Sequence, residues 1–281
     1  MAEILDGRKI SKEIRGELKE KVEKLEALGI TPTLVGILVG EDPGSASYIR
    51  LKEKGCEQVG ICPVMLRLPQ DTTEEKVLGE IQKLNEDPDM SGIFIQLPLP
   101  DHINETNVLN AVRPEKDVDG FHPLNVGRSW LGQEAFLPAT PIGIYEMLTR
   151  SGYGVKGKEV VIVNVDSLVG KPLASILVKE GANVTFCQPS SPQIEDYTKR
   201  ADILVVSVNS PKFITADMIK DGAVVIDFGF NYIDGKSLGD VDFDAVKEKA
   251  GAITPVPGGV GPMTVTMLLA NTVKACEMAH G

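Results

Sequence analysis

Tyr48 and Lys52 are one helical turn apart in a segment predicted to be a helix, so they share one face of it. A lysine on a partly buried face has its pKa lowered by desolvation, which makes it a usable proton donor or acceptor. A tyrosine beside it can stack on a flat heterocycle. The spacing alone favours a solvated lysine next to a packing tyrosine, because such pairs are common on helices.

A glutamine followed by two prolines ends a strongly apolar predicted strand. The segment is Gln96-Leu97-Pro98-Leu99-Pro100. Parallel α/β sheets bind ligands at the carboxyl ends of their strands, and prolines leave nearby carbonyls without amide donors of their own. A rigid strand exit explains the same pattern equally well.

Two acids separated by one residue precede a turn glycine in Lys116-Asp117-Val118-Asp119-Gly120. A carboxylate pairs with an N–C–N edge of a base or a pterin through two hydrogen bonds. An Asx-turn or a helix cap is the alternative, since both are frequent uses of aspartate.

The densest proline and glycine stretch is Ile253–Thr264, which includes Gly259 and Pro262 and leads into a predicted helix. Glycines let backbone approach a ligand closely, although a rigid interdomain turn has the same composition. The sequence contains no G-x-G-x-x-G, phosphate-loop or H-E-x-x-H motif and no Cys/His cluster, so no metal is expected.

The elements that must position these residues alternate between strands and helices, which indicates an α/β fold with a largely parallel sheet. A proline-rich stretch at 137–141 is the candidate domain boundary. After it, the alternation restarts in a pattern typical of a doubly wound nucleotide-binding half. The last predicted helix starts at Met263 and is expected to pack back on the first domain. The predicted strands are 33–39, 64–68, 92–97, 160–163, 183–187, 203–208 and 223–228, and the predicted helices are 10–28, 48–59, 73–85, 170–180 and 263–278.

Composition excludes several classes of protein. The 281 residues include 29 Lys and Arg against 40 Asp and Glu, a formal net charge of −11 that argues against nucleic-acid binding and against a polybasic membrane surface. No stretch of 18 apolar residues and no basic, apolar leader are present, so neither a transmembrane helix nor a secretory signal is expected. Four cysteines without CxxC spacing predict reduced thiols and a cytoplasmic protein.

Taken together, these segments resemble the bifunctional methylenetetrahydrofolate dehydrogenase/methenyltetrahydrofolate cyclohydrolase family. The resemblance covers nearly the whole chain, and its blocks occur in the family's order. They are 40–45 followed by Ser47-Tyr48 and Lys52, then 96–100, 116–120 and 254–264.

The resemblance implies a role for each matching residue. Lys52 would handle proton transfer in the cyclohydrolase step, and Gln96 would position and tune it. Tyr48 would lie along the folate ring, and Asp119 would grip the amino-pyrimidine edge of the pterin. Pro98 and Pro100 would line the same cleft. Gly259 and Pro262 would help to close it near the nicotinamide.

The implied fold has a folate-binding catalytic domain at 1–139 plus the C-terminal helix 263–281, and a Rossmann-like NAD(P)-binding domain at 140–262. The implied reactions oxidise 5,10-methylenetetrahydrofolate with NAD(P) and hydrolyse the methenyl product to 10-formyltetrahydrofolate, which feeds purine and amino-acid biosynthesis. Tetrahydrofolate derivatives would be the partners, together with a second copy of the chain in a homodimer. No nucleic acid or membrane partner is expected.

The sequence departs from the family in the nucleotide site. Asn164, Val165 and Asp166 replace the usual Gly-Arg-Ser, ahead of Ser167 and Gly170. Segment 188–191 lacks the family's cation, and Asn209 and Ser210 replace its Gly-Arg/Lys. These residues would form the cofactor site. Their changes remove glycines and positive charges, and Asp166 would repel a phosphate unless it binds a ribose hydroxyl.

The cofactor is therefore NADP by family default, with NAD or weak binding of both as alternatives. A cation such as Lys171 or Arg200 could replace the missing charges. Two further functional hypotheses stay open at this point: a cyclohydrolase with weakened or lost dehydrogenase activity, and a catalytically silent folate-binding protein.

Overall fold

The computed structural model describes residues 1–40, 43–233 and 235–281, with the backbone alone in 43–47. The chain forms two compact α/β units. A three-strand unit comprises Glu13–Ala139 and Val265–Gly281, and a six-strand unit comprises Met1–Lys12 and Thr140–Thr264. The predicted fold class is confirmed, including the return of the last helix to the first lobe.

The described residues form strands and helices that alternate along most of the chain. In chain order they are β1 (Glu3–Ile4), α1 (Gly7–Glu26), β2 (Thr33–Val39), α2 (Pro43–Val59), β3 (Cys62–Leu68), α3 (Glu74–Glu86), β4 (Gly92–Ile95), α4 (Glu105–Ala111), α5 (Pro123–Trp130), α6 (Ala139–Arg150), β5 (Glu159–Val163), α7 (Gly170–Lys179), β6 (Asn183–Cys187), α8 (Ile194–Thr198), β7 (Ile203–Val206), β8 (Val224–Asp227), β9 (Asn231–Ile233), β10 (Lys236–Leu238), α9 (Phe243–Val246), β11 (Ala252–Ile253) and α10 (Val260–His280). A short 3₁₀ helix spans Ala216–Met218.

The three-strand unit is built on a parallel sheet in the order β3-β2-β4. Every residue of β2 is buried, as expected for a central strand covered on both faces. One face packs on α3 and α4 through a cluster of aliphatic side chains that includes Ile37, Ile81 and Val108. Because all three strands run the same way, their carboxyl ends meet at one edge, where Gln96 follows β4.

The six-strand unit has the parallel order β1-β11-β8-β7-β5-β6. Strand β5 lies between β6 and β7, so the chain leaves β5 toward one side and later crosses to the other. This arrangement is a topological switch point, the place where doubly wound sheets bind ligands. None of the helices in the described parts of the chain is long and apolar enough to span a membrane.

The structure departs from the sequence-based expectations in several elements. Helix α6, which was not predicted, begins within the proline-rich stretch at 137–141, with Pro141 in its first turn, where a missing N–H does little harm. The division between the two units falls in this same stretch, between Ala139 and Thr140. The short helices α4 and α5 were not predicted, because seven or eight residues give little periodicity. The predicted first domain began at residue 1, yet Glu3 and Ile4 pair with β11 in the six-strand sheet.

Candidate active site

Lys52 lies on α2 in the three-strand unit, with its side chain half-buried. Its Nζ donates a hydrogen bond of 3.2 Å to Gln96 Oε1 and lies 3.9 Å from the centroid of the Phe94 ring. Ile49 and Cys56, three residues before and four residues after Lys52, share its face of α2 and are buried. The lysine is therefore held between an amide oxygen and an aromatic face, and does not extend freely into solvent.

Gln96 reaches this position through the register of the sheet. Its backbone N–H donates to the carbonyl of Ile37 at 2.9 Å, which prolongs the pairing of β4 with β2. Its side-chain Nε2 donates to the carbonyl of Leu97 at 2.8 Å. That bond fixes the amide, so Oε1 is the atom that faces Lys52.

The two acids of the Asp117–Asp119 pair have different surroundings. The buried carboxylate of Asp117 accepts four hydrogen bonds of 2.9–3.2 Å, from the backbone N–H groups of Gly120, Phe121 and His122 and from Asn125 Nδ2. Asp117 therefore builds the turn, as the Asx-turn alternative proposed. Asp119 is half-buried and acts electrostatically on Lys52.

Gly120 is required by the same turn. Its φ is +74°, and a Cβ built there would lie 2.5 Å from the carbonyl carbon of Leu137. Any other residue would be strained and would also push the two segments apart. The turn that carries Asp119 is thus packed directly against the segment before α6.

The charges of Lys52 and Asp119 perturb each other in a partly desolvated site. Burial lowers the pKa of Lys52, and the negative charge of Asp119 opposes that shift. Burial raises the pKa of Asp119 to about 6, while Lys52 lowers it and Asp117 raises it further. At neutral pH Asp119 is ionised, and the neutral form of Lys52 is more accessible than in an exposed lysine.

The other predicted substrate residues are distributed over both units. Tyr48 is 44% exposed on the same helix as Lys52, and after Gln96 the chain passes through an exposed Pro98 and a buried Pro100. Gly259 and Pro262 belong to the six-strand unit. Their place beside a nicotinamide stays a prediction. The acidic part of the first family block, Glu41-Asp42, lies outside the described residues.

Gly259 itself serves close packing within the six-strand unit. A Cβ built on Gly7 would lie 1.8 Å from the Gly259 carbonyl oxygen. A Cβ on Gly259 would lie 2.7 Å from the carbonyl oxygen of Pro255.

The two predicted nucleotide loops meet at the switch point of the six-strand sheet. Asn164 follows β5 and donates through Nδ2 to the carbonyl of Ser207, after β7, at 2.7 Å. Asn164 and Asn209 have φ values of +84° and +54°. Asparagine tolerates this left-handed region better than most residues, so both loops keep the backbone conformation that the family's glycines allow.

Asp166 builds the turn that leads into α7. Its Oδ1 accepts the N–H groups of Leu168 at 2.8 Å and Val169 at 2.6 Å. The next glycine, Gly170, allows the helix to approach the loop, because a Cβ there would lie 2.7 Å from the Asn164 carbonyl oxygen. The carboxylate therefore has a structural use within the loop, and the exposed Ser167 lies between these contacts.

Sequence reasoning missed two residues that shape these sites. Phe94 was taken as an ordinary strand residue, but its ring faces the Lys52 ammonium. Asp240 is fully buried, and its carboxylate accepts backbone N–H bonds of 2.5–3.0 Å that fix the second nucleotide loop, from Val208, Asn209 and Ser210. Both contacts join residues that are far apart in the sequence, so neither has a clear signal in a local pattern.

Family models match both parts of the chain. The model described as "Tetrahydrofolate dehydrogenase/cyclohydrolase, catalytic domain" matches residues 5–119. The one described as "Tetrahydrofolate dehydrogenase/cyclohydrolase, NAD(P)-binding domain" matches residues 138–280. The two matches together cover the segments that carry Lys52, Asp119 and the nucleotide loops.

Known relatives are similar over the full length. "Bifunctional protein FolD" of Halalkalibacterium halodurans is 51% identical over 276 residues, covering 98% of this chain and 99% of that protein. The crystal structure of the bifunctional enzyme FolD from Campylobacter jejuni has a TM-score of 0.97 at 43% identity and covers 99% of each chain. The Trypanosoma brucei dehydrogenase-cyclohydrolase, solved with NADP and an inhibitor, has a TM-score of 0.94 at 37% identity, with 99% of this chain and 98% of that chain covered.

These relatives are bifunctional, and the similarity extends across the nucleotide-binding half. The comparisons therefore do not support the alternative of a weakened or lost dehydrogenase. The chain belongs to the tetrahydrofolate dehydrogenase/cyclohydrolase family and is a bifunctional enzyme of one-carbon folate metabolism.

Proposed function

We propose that Lys52 moves the protons of the cyclohydrolase reaction, in a pterin site completed by Gln96, Asp119 and Tyr48. The observation that carries the proposal is the half-buried ammonium held 3.2 Å from Gln96 Oε1. Burial lowers the pKa of this lysine, so it can exchange a proton near neutral pH more readily than an exposed lysine.

The chemistry of hydrolysis needs one such group. Neutral Lys52 accepts a proton from the water whose oxygen bonds to the cationic methenyl carbon. The resulting ammonium donates that proton to N5 of the folate as the bond between N5 and the former methenyl carbon breaks. The hydroxyl proton leaves to solvent as the formyl C=O forms on N10, which balances the reaction. Gln96 supports the ammonium state by accepting its hydrogen bond.

Hydride transfer from the methylene carbon to a nicotinamide places fewer demands on the protein. It depends on orientation of the two rings and needs no protein acid. Asp119 is proposed to bind the amino-pyrimidine edge of the pterin, and Tyr48 to lie along the ring. Both reactions would therefore share Asp119, whereas only hydrolysis would depend on proton transfer by Lys52.

The test compares two lysine variants on the same helix. Lys52→Ala should abolish conversion of the methenyl cation while the circular-dichroism spectrum and melting temperature stay close to those of the wild type. The matched control is Lys54→Ala, because Lys54 is exposed two residues further along α2. Near-wild-type hydrolysis by Lys52→Ala would refute the role.

For the nucleotide, we propose that the preference for NADP over NAD is eroded. The NAD(P)-binding domain is a family property, and the two loops keep their left-handed backbone through Asn164 and Asn209. However, Val165 occupies the position of the family's arginine. A charged hydrogen bond to a phosphate contributes roughly 1.5–3 kcal/mol, or about ten- to a hundredfold in affinity.

Dissociation constants for NADP and NAD at one ionic strength test this proposal. We expect the two values to lie within about tenfold of each other, because the 2′-phosphate lacks its usual cation. Tight NADP binding with a large margin over NAD would contradict it. Lys171→Ala and Arg200→Ala would then show whether either exposed cation supplies the missing charge.

The working form of the enzyme is proposed to be a cytoplasmic homodimer that acts on tetrahydrofolate derivatives. The support is membership of the family together with exposed apolar side chains at and just before strand β9, namely Phe230, Tyr232 and Ile233. Sedimentation equilibrium would show a mass of twice 30.3 kDa if this is correct.

A further inference from the structure

A buried asparagine on the last helix holds the backbone beside Asp119. Asn271 lies on α10 and is 6% exposed. Its Nδ2 donates to the carbonyl of Val118 at 2.7 Å and to the carbonyl of Leu137 at 2.9 Å. Both hydrogens of one amide group are thus used on two segments that lie more than 130 residues away in sequence.

The first of these bonds acts on the peptide group that leads into Asp119. The Val118 carbonyl and the Asp119 N–H belong to one rigid plane. Fixing that carbonyl therefore restricts the direction in which the Asp119 side chain leaves the backbone. An apolar residue at 271 would leave both carbonyls without this donor in a buried place.

The other sides of the same turn are also fixed. The N–H of Ile93 donates to the carbonyl of Lys116 at 2.8 Å, which ties the turn to β4. The Val118 side chain packs closely on Gly92, where a Cβ would lie 2.5 Å from it. Asn271 supplies the remaining support from α10, and it joins the turn to the Leu137 backbone against which Gly120 packs.

We propose that Asn271 is a positioning residue for pterin binding, acting through the orientation of Asp119. This inference rests on the proposed role of Asp119 in binding the amino-pyrimidine edge of the pterin. Asn271 itself touches backbone and takes no part in proton or hydride transfer. Its replacement should weaken substrate binding in both reactions and leave dinucleotide binding unchanged.

A double-mutant cycle distinguishes positioning from general structural support. Asn271→Ala should raise KM for the methenyl substrate about tenfold in the wild-type background and less than twofold in an Asp119→Ala background, because coupled residues are not additive. Asn271→Leu retains side-chain volume and lacks the donors, so it takes the place of Asn271→Ala if that variant does not fold.

The matched control is the next residue on the helix. Thr272 is fully buried, and its Oγ1 donates to the Leu268 carbonyl at 2.9 Å within α10. Thr272→Ala should lower the melting temperature without changing KM. An equal rise in KM from the Asn271 variants in both backgrounds, or no rise at all, would overturn the positioning role. An unchanged KM in Asp119→Ala alone would instead refute the proposed role of Asp119.

Discussion

Acidification below pH 6 should weaken folate binding, because it protonates Asp119. Burial raises the pKa of this carboxyl to about 6, against the partly compensating charge of Lys52. The proposed contact needs the ionised form, which accepts two N–H donors of the pterin edge. A protonated carboxyl offers one acceptor fewer and no charge, so the substrate binds the ionised enzyme preferentially.

The size of the effect follows from the titration. With a pKa of about 6, roughly half of Asp119 is ionised at pH 6 and about a tenth at pH 5, so KM should rise about tenfold between pH 8 and pH 5. An aspartate with an ordinary pKa of about 3.9 would change KM by about a tenth over this range. The two cases are therefore easily separated.

The assay is the steady-state cyclohydrolase rate as a function of methenyl substrate concentration, from pH 5 to pH 8. Asp119→Asn is the control, because its amide does not titrate and its KM should be raised but flat across the range. A wild-type KM that stays constant down to pH 5 would refute either the raised pKa or the role of Asp119 in binding.

Three more predictions follow from the site and the nucleotide loops. Asp119→Ala should raise KM in both reactions by the equivalent of roughly 1.5–3 kcal/mol, and a loss confined to one activity would exclude a shared pterin contact. Gly120→Ala should lower the melting temperature and raise KM, whereas Gly132→Ala, at φ +69° with open space around it, carries the backbone strain alone and should cause a smaller loss of stability in the same thermal scan. Asp240→Ala should weaken dinucleotide binding about tenfold or more in a fluorescence titration, because the N–H groups of Val208, Asn209 and Ser210 lose their acceptor, and an unchanged affinity would show that the loop does not need it.

The sequence predicted the elements around Lys52 well, because their patterns are long and regular. Segment 33–39 is a continuous apolar run, as expected of a strand buried on both faces, and the apolar strand predicted at 92–97 placed Gln96 at its carboxyl end. That Lys52 and Gln96 belong to one site was implied by the family resemblance and not by these elements alone. The hydrogen bond between them is a matter of sheet register, which only the structure shows.

Residue types alone could not predict which of Asp117 and Asp119 forms the turn. Both are aspartates within the same turn, and either could have formed the Asx-turn. The backbone N–H groups that follow converge on Asp117, and this determines which acid is structural. Family resemblance selected Asp119, and the surrounding hydrogen bonds provide a physical reason for that choice.

In the nucleotide loops, the replaced residues suggested a larger change in backbone conformation than the structure shows. The replacement of glycines at 164 and 209 was expected to remove conformational freedom. Both asparagines adopt positive φ, and the Asn164 side chain adds a bond to the other loop. The reasons that remain for an altered cofactor preference are electrostatic: the loss of positive charge and the carboxylate of Asp166.

Chemical rescue of Lys52→Ala tests the central claim, proton transfer at this position, most directly. Hydrolysis by this variant should be restored by ethylamine in proportion to its neutral fraction, and should not respond to tetramethylammonium, which carries charge without a transferable proton. Lys54→Ala, measured in parallel, should respond to neither. Equal rescue of Lys52→Ala by ethylamine and by tetramethylammonium would contradict proton transfer by Lys52. A wild-type rate of hydrolysis by Lys52→Ala without any added amine would contradict it as well.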